Sequence, residues 1–105
     1  MPSNPVSVRA KLGRPVVVSL ESNPTTGFVW EPLFSPDEII LEERHFAIPQ
    51  GAPGSGTTEL FRFVPRRVGT IQIVFELRRS WEQRAREERL YLLDVTQGPE
   101  GVVKK

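Results

Sequence analysis

The segment from Ile71 to Arg78 alternates apolar and polar side chains more regularly than any other part of the chain. Ile71, Ile73, Phe75 and Leu77 fall on one face of an extended strand, and the residues between them fall on the other. A period of two predicts a β-strand with one buried face. This strand is the clearest of about seven short stretches that favour an all-β fold.

The other stretches are separated by turns rich in proline and glycine, of which the chain has 10 and 8. The predicted strands cover residues 6–9, 16–21, 28–31, 39–48, 58–64, 70–78 and 90–95. The strand at 16–21 is rich in β-branched residues and is predicted to be central in its sheet. The segment Pro32 to Pro36 is predicted to end the strand before it, and the strand at 39–48 is predicted to contain an irregularity. Seven or so strands at this spacing indicate a β-sandwich.

Residues 81–89 are the stretch that fits this pattern least. They contain good helix formers, but only Trp81 and Ala85 could contribute to an apolar stripe. We therefore predict a charged, extended hairpin loop, and a short helix remains the alternative.

Length and charge limit the classes of protein to which the chain can belong. Its 105 residues fit a single domain, 1–105, with a folded part at about 5–96 and a polar tail at 97–105. A net charge of +1 gives no field to attract nucleic acid or an anionic membrane, and no segment is apolar enough to span one. We expect a monomer when the protein is free. No signal peptide is recognisable, so the expected location is cytoplasmic, or secreted or periplasmic if a signal has been removed.

The residues needed for catalysis or metal binding are missing from the sequence. There is no cysteine, and His45 is the single histidine. No serine lies in a nucleophile elbow, and no spacing fits a metal site. The glycine-rich segment 51–56 lacks the lysine of a phosphate-binding loop. We expect no enzyme activity, no metal and no cofactor.

One loop, residues 23–28, is more elaborate than a hairpin turn requires. Pro24 fixes its own φ and biases the residue before it toward an extended conformation, whereas Gly27 permits a positive φ. The expected result is a short, stiff loop that presents two threonine hydroxyls. A rigid turn that serves stability alone is the alternative interpretation.

Strand directions place this loop beside two others. Following the predicted strands out and back brings residues 23–28, 51–56 and 79–81 to one end of the sandwich. Unusual loops on one rim of a rigid scaffold are typical of a binding surface. Trp81 is then either a clamp over the end of the sandwich or an anchor for a partner, and Arg79 could stack on it.

Three motifs in these loops resemble those of the chagasin family of inhibitors of papain-like cysteine peptidases. The first, Asn-Pro-Thr-Thr-Gly and an aromatic residue, is matched in full by Asn23, Pro24, Thr25, Thr26, Gly27 and Phe28. The second, Gly-x-Gly-Gly, is matched except at its last position by Gly54, Ser55, Gly56 and Thr57. The third, Arg-Pro-Trp and Glu, is matched except at its second position by Arg79, Ser80, Trp81 and Glu82. The resemblance runs from about Leu12 to Val95.

The resemblance implies an immunoglobulin-like antiparallel β-sandwich of seven to eight strands that inhibits papain-like cysteine peptidases reversibly. All fourteen motif residues are expected to contact the peptidase, with the first loop in its active-site cleft. Ser80 replaces a proline that would fix φ, so the third loop should be looser here, and Thr57 should alter the second loop. An adhesion or glycan-binding module built on Trp81 is the alternative function.

Overall fold

The computed structural model of the protein describes residues 5–22, 27–47 and 57–97, which form seven β-strands and no helix. Their bounds are Val6–Lys11 (β1), Val16–Ser22 (β2), Phe28–Leu33 (β3), Ile39–Ala47 (β4), Thr57–Pro65 (β5), Gly69–Arg79 (β6) and Glu87–Thr96 (β7). The predicted all-β fold is confirmed.

The strands form two sheets that enclose one apolar core. One sheet has the order β1-β7-β6-β3, and the other has the order β2-β5-β4. Phe61 and Phe63 of the smaller sheet pack on Phe75 of the larger one, with ring centroids 5.1 and 6.2 Å apart. The prediction that the strand starting near Ile71 has one buried face is confirmed, because Ile71, Ile73 and Phe75 are fully buried.

Local pattern does not reveal the positions of three strands, β1, β7 and β2. The first and last strands, β1 and β7, pair in parallel, whereas every other pair is antiparallel. No short turn joins β1 to β7, so nothing in either segment dictates their relative direction. The prediction that 16–21 is central was wrong: β2 is an edge strand, and its outward Val17 is 55% exposed. β-Branched residues suit a half-buried edge as well as a sheet centre.

The prediction that Pro32 ends its strand was also wrong. β3 continues through Pro32, which lies opposite Phe75, to Leu33. β3 is the edge of its sheet, where a residue without an N–H can be accommodated on the unpaired side. The predicted irregularity in β4 is confirmed as a register shift between Leu41 and Glu43.

The charged stretch at 81–89 contains no helix. Its first part is the loop of the β6–β7 hairpin, and residues 87–89 already belong to β7. In the described ranges, no helix is present that could cross a membrane.

Candidate functional site

The strand ends that carry the three predicted loops lie together at one end of the sandwich. In the smaller sheet, Ser22 at the end of β2 is opposite Thr57 at the start of β5, and Ala47 at the end of β4 is opposite Thr58. In the larger sheet, Phe28 at the start of β3 is opposite Arg79 at the end of β6. We call this the loop end.

The predicted site residues divide into two groups. The first group lies outside the described residues: Asn23, Pro24, Thr25, Thr26, Gly54, Ser55 and Gly56. The second group lies at the loop end and is described: Gly27, Phe28, Thr57, Arg79, Ser80, Trp81 and Glu82.

Gly27 and Trp81, from two different motifs, are in contact. Gly27 has φ +86°, and a β-carbon at this position would lie only 3.0 Å from Cη2 of the indole ring. Glycine is therefore favoured here for two reasons. It adopts a positive φ without strain, and it has no side chain that would clash with the indole ring. Trp81 is nevertheless 71% exposed, so most of its surface is open to solvent and it is not a buried clamp.

Phe28, the aromatic residue of the first motif, contacts two guanidinium groups through its ring. The Arg79 guanidinium carbon is 4.4 Å from the centroid of the Phe28 ring, and that of Arg86 is 4.9 Å away. Arg79 also lies 5.8 Å from the centroid of Trp81. These distances are typical of cation–π contacts, which join the first motif to the third across the β3–β6 pair.

The loop that carries Trp81, residues 80–86, is closed by several polar contacts. The Glu82 N–H donates to the Arg79 carbonyl at 3.0 Å, and the Arg86 N–H donates to the Leu77 carbonyl at 2.7 Å. Arg78 donates to the Glu82 carbonyl at 2.9 Å, and the Arg79 guanidinium pairs with the Glu82 carboxylate at 3.6 Å. These contacts define the loop although Ser80 replaces the proline of the motif.

A buried carboxylate ties the two sheets together beneath the loop end. Glu59 of β5 is only 2% exposed and accepts a hydrogen bond from the Trp30 N–H at 3.0 Å. Arg44 of β4 lies 3.6 Å from Glu59 and donates to the Trp30 carbonyl at 2.8 Å. Side chains of one sheet thus satisfy both backbone groups of an edge residue in the other, which protects that edge from pairing.

The Trp30 side chain makes a second hydrogen bond between the two sheets, close to the first. Its indole N–H donates to the Glu21 carbonyl at 2.9 Å, while its ring is 1% exposed. Glu21 and Trp30 lie on either side of the threonine loop, residues 23–28. The two strands that flank this loop, β2 and β3, are therefore joined directly by a hydrogen bond.

Sequence reasoning missed Glu59, Arg44 and Arg86. For Glu59 a signal existed, because residues 59, 61 and 63 share one face of β5 and a charge among phenylalanines predicts a partner. Arg86 gave no signal, since its contact with Phe28 depends on how the strands pair. In the described part of the chain, no cluster of side chains could hold a metal ion.

Comparison with known proteins adds independent information. The family model described as Chagasin family peptidase inhibitor I42 matches residues 9–95. Chagasin from Trypanosoma cruzi is 31% identical over 84 residues, which cover 74% of this chain and 76% of that protein.

Two solved structures share the fold. The cysteine protease inhibitor EhICP2 from Entamoeba histolytica superposes with a TM-score of 0.75 at 20% identity, covering 87% of this chain and 86% of that one. Amebosin gives a TM-score of 0.65 at 23% identity, covering 86% of this chain and 88% of that one. At these identities the likeness concerns the fold alone.

Proposed function

This chain belongs to the chagasin family of peptidase inhibitors, and on that basis we propose that it inhibits papain-like cysteine peptidases reversibly. The observation that carries the proposal is the contact between Gly27 and Trp81. It joins the fully matched first motif to the third at one end of a rigid sandwich.

In the proposed complex, the threonine loop enters the active-site cleft beside the catalytic cysteine and histidine. It fills the cleft without presenting a cleavable bond in register. Residues 54–57 lie along one wall and Trp81 packs on an aromatic surface of the other. The contacts of Trp81 with Gly27 and of Arg79 with Phe28 support this mechanism, because side chains that are already held in place lose less conformational entropy on binding.

The fourteen motif residues are the proposed contact set. Two properties of the described members support this assignment. Among the described residues, Trp81 is the most exposed of the large apolar side chains. Gly27 contacts its ring, and Phe28 is linked to it through Arg79. An exposed tryptophan in a polar surround is a common binding hot spot. We propose that the inhibitor binds as a monomer.

The experiment is a titration of papain activity with the purified protein, with trypsin as the control enzyme. We expect papain activity to fall reversibly as the inhibitor is added, and trypsin to be unaffected because its cleft does not match this rim. Absence of inhibition of any papain-like enzyme at micromolar inhibitor would contradict the proposal. Equal inhibition of trypsin would indicate a different mechanism.

A further inference from the structure

Arg86 lies outside all three motifs, yet its side chain touches one of them. Its guanidinium carbon is 4.9 Å from the centroid of the Phe28 ring, over which Arg79 also lies. Phe28 follows Gly27 directly, so whatever fixes the Phe28 ring also limits movement where the threonine loop joins β3. Arg86 directly precedes β7, whereas Phe28 begins β3 on the other side of β6. Its side chain therefore contacts the first motif across the end of β6.

The backbone of Arg86 is itself held in place. Its N–H donates to the Leu77 carbonyl at 2.7 Å, next to the last paired residues of the hairpin, Leu77 and Glu87. The side chain thus extends from a fixed point at the base of the loop. An arginine held at its backbone loses less entropy when its guanidinium stacks on a ring.

From Arg86 a continuous set of contacts leads to Trp81. Phe28 links Arg86 to Arg79, and Arg79 lies 5.8 Å from the Trp81 ring, which rests on Gly27. We propose that Arg86 is a positioning residue for peptidase binding: it holds Phe28 and, through Arg79, keeps the Gly27–Trp81 contact formed in the free inhibitor. This inference rests on the proposed function.

The same hairpin supplies a matched control for charge. Arg84 is exposed, and within the described residues it makes no hydrogen bond or ion pair. Arg84→Gln removes the same charge from the same loop as Arg86→Gln. Any effect of Arg86 on electrostatic steering should therefore appear in both variants.

The experiment measures association and dissociation rates with papain for the full chain and for Arg86→Gln, Arg86→Lys and Arg84→Gln. In parallel, the nuclear Overhauser effect between the Gly27 Hα and the Trp81 ring is recorded without peptidase. If Arg86 positions the rim, Arg86→Gln lowers the population of the competent state, so association slows while dissociation is unchanged. One exposed cation–π contact corresponds to about a two- to fivefold effect.

The controls separate this role from others. Arg86→Lys should recover part of the association rate, Arg84→Gln should behave as wild type, and the Gly27–Trp81 signal should weaken in Arg86→Gln alone. The substitution is on the surface, so the melting temperature should change by no more than about 4 °C.

Three results would overturn the inference: equal slowing in Arg84→Gln, a faster dissociation with unchanged association, or an unchanged Gly27–Trp81 signal. The first would indicate steering and the second a direct contact with the peptidase. If the wild-type protein inhibits no papain-like enzyme, the proposed function fails, and the signal in the free protein still decides whether Arg86 positions the rim.

Discussion

The indole ring of Trp81 rests on Gly27 so closely that a β-carbon there would lie 3.0 Å from ring atom Cη2. The two residues come from different motifs: Gly27 precedes β3 in the connection from the smaller sheet, and Trp81 lies in the β6–β7 hairpin. They meet because Phe28 pairs with Arg79 across β3 and β6. The first and third motifs are therefore in direct contact at the loop end.

Gly27→Ala should displace Trp81 and weaken inhibition. Alanine at a positive φ costs about 1–2 kcal/mol of folding free energy, and its methyl group would push the ring away. Gly13→Ala is the matched control, since Gly13 has φ +75° with no atom within 4 Å of an added β-carbon. Denaturant titrations should give similar losses of stability for both variants, and only Gly27→Ala should raise the inhibition constant. Equal inhibition constants would mean that the contact between Gly27 and the Trp81 ring does not matter for binding.

Trp81→Ala should weaken binding by about 2–4 kcal/mol, the range for an aromatic hot spot, without unfolding the protein. Trp81 is 71% exposed, so the core loses little when its ring is removed. Val68→Ala, at the other end of the sandwich, removes apolar surface from a residue that is 42% exposed and should leave inhibition unchanged. Thermal melts and inhibition constants check both variants. Unfolding of Trp81→Ala would show that the residue is needed for stability.

Glu59→Gln should destabilise the fold by about 1–3 kcal/mol, because the amide weakens the buried charged hydrogen bond to the Trp30 N–H and removes the buried carboxylate beside Arg44. Arg44 then keeps the Glu31 carboxylate, which is 45% exposed and 3.7 Å away, as a charged partner. Glu42→Gln is the control: Glu42 pairs with Arg62 at the shorter distance of 2.9 Å, but both side chains are nearly half exposed. A surface ion pair contributes about 0–1 kcal/mol. Urea unfolding of both variants measures the difference. A larger loss for Glu42→Gln would show that burial does not determine the strength of these pairs.

Ser80→Pro should tighten binding and stabilise the third loop by about 0.4–1 kcal/mol, since proline reduces the freedom of the unfolded chain. Arg79 ends β6 and is therefore extended, as a residue before proline should be. Ser80→Ala separates the loss of the hydroxyl from the fixing of φ. Inhibition constants and melts of the three proteins provide the comparison. Weaker binding by Ser80→Pro alone would mean that position 80 does not adopt a φ suited to proline.

Thr25→Asp should weaken inhibition more than Thr25→Ala. Thr25 lies outside the described residues, so this prediction rests on the first motif and on the thiolate–histidinium pair of papain-like enzymes. Alanine removes a hydrogen bond and a methyl group, at a cost of about 1–2 kcal/mol. Aspartate adds a charge that would face the thiolate in a partly desolvated cleft, a defect that costs several kcal/mol. Inhibition constants that are equal for two folded variants would show that this loop does not enter the cleft.

Local pattern was sufficient to predict the positions of the strands and their buried faces. The period of two at Ile71, Ile73 and Phe75 depends only on neighbouring residues, and burial of one face of a strand follows from it. The first motif was readable for the same reason, because its residues are contiguous. Glu59 was a local signal that sequence reasoning missed, because a charged residue on the apolar face of a strand predicts a buried partner.

The tertiary structure decided the relationships between segments far apart in the chain. The parallel pairing of β1 with β7, the edge position of β2 and the tolerance of Pro32 in β3 depend on which strands become neighbours, and no single segment encodes this. The same holds for the contacts of Trp81 with Gly27 and of Arg86 with Phe28. The sequence alone was therefore enough to propose the motif residues as a candidate site, because each motif is contiguous. Packing of the two sheets and pairing of β3 with β6 decided how the described members of that site contact one another and which other residues, such as Arg86, adjoin them.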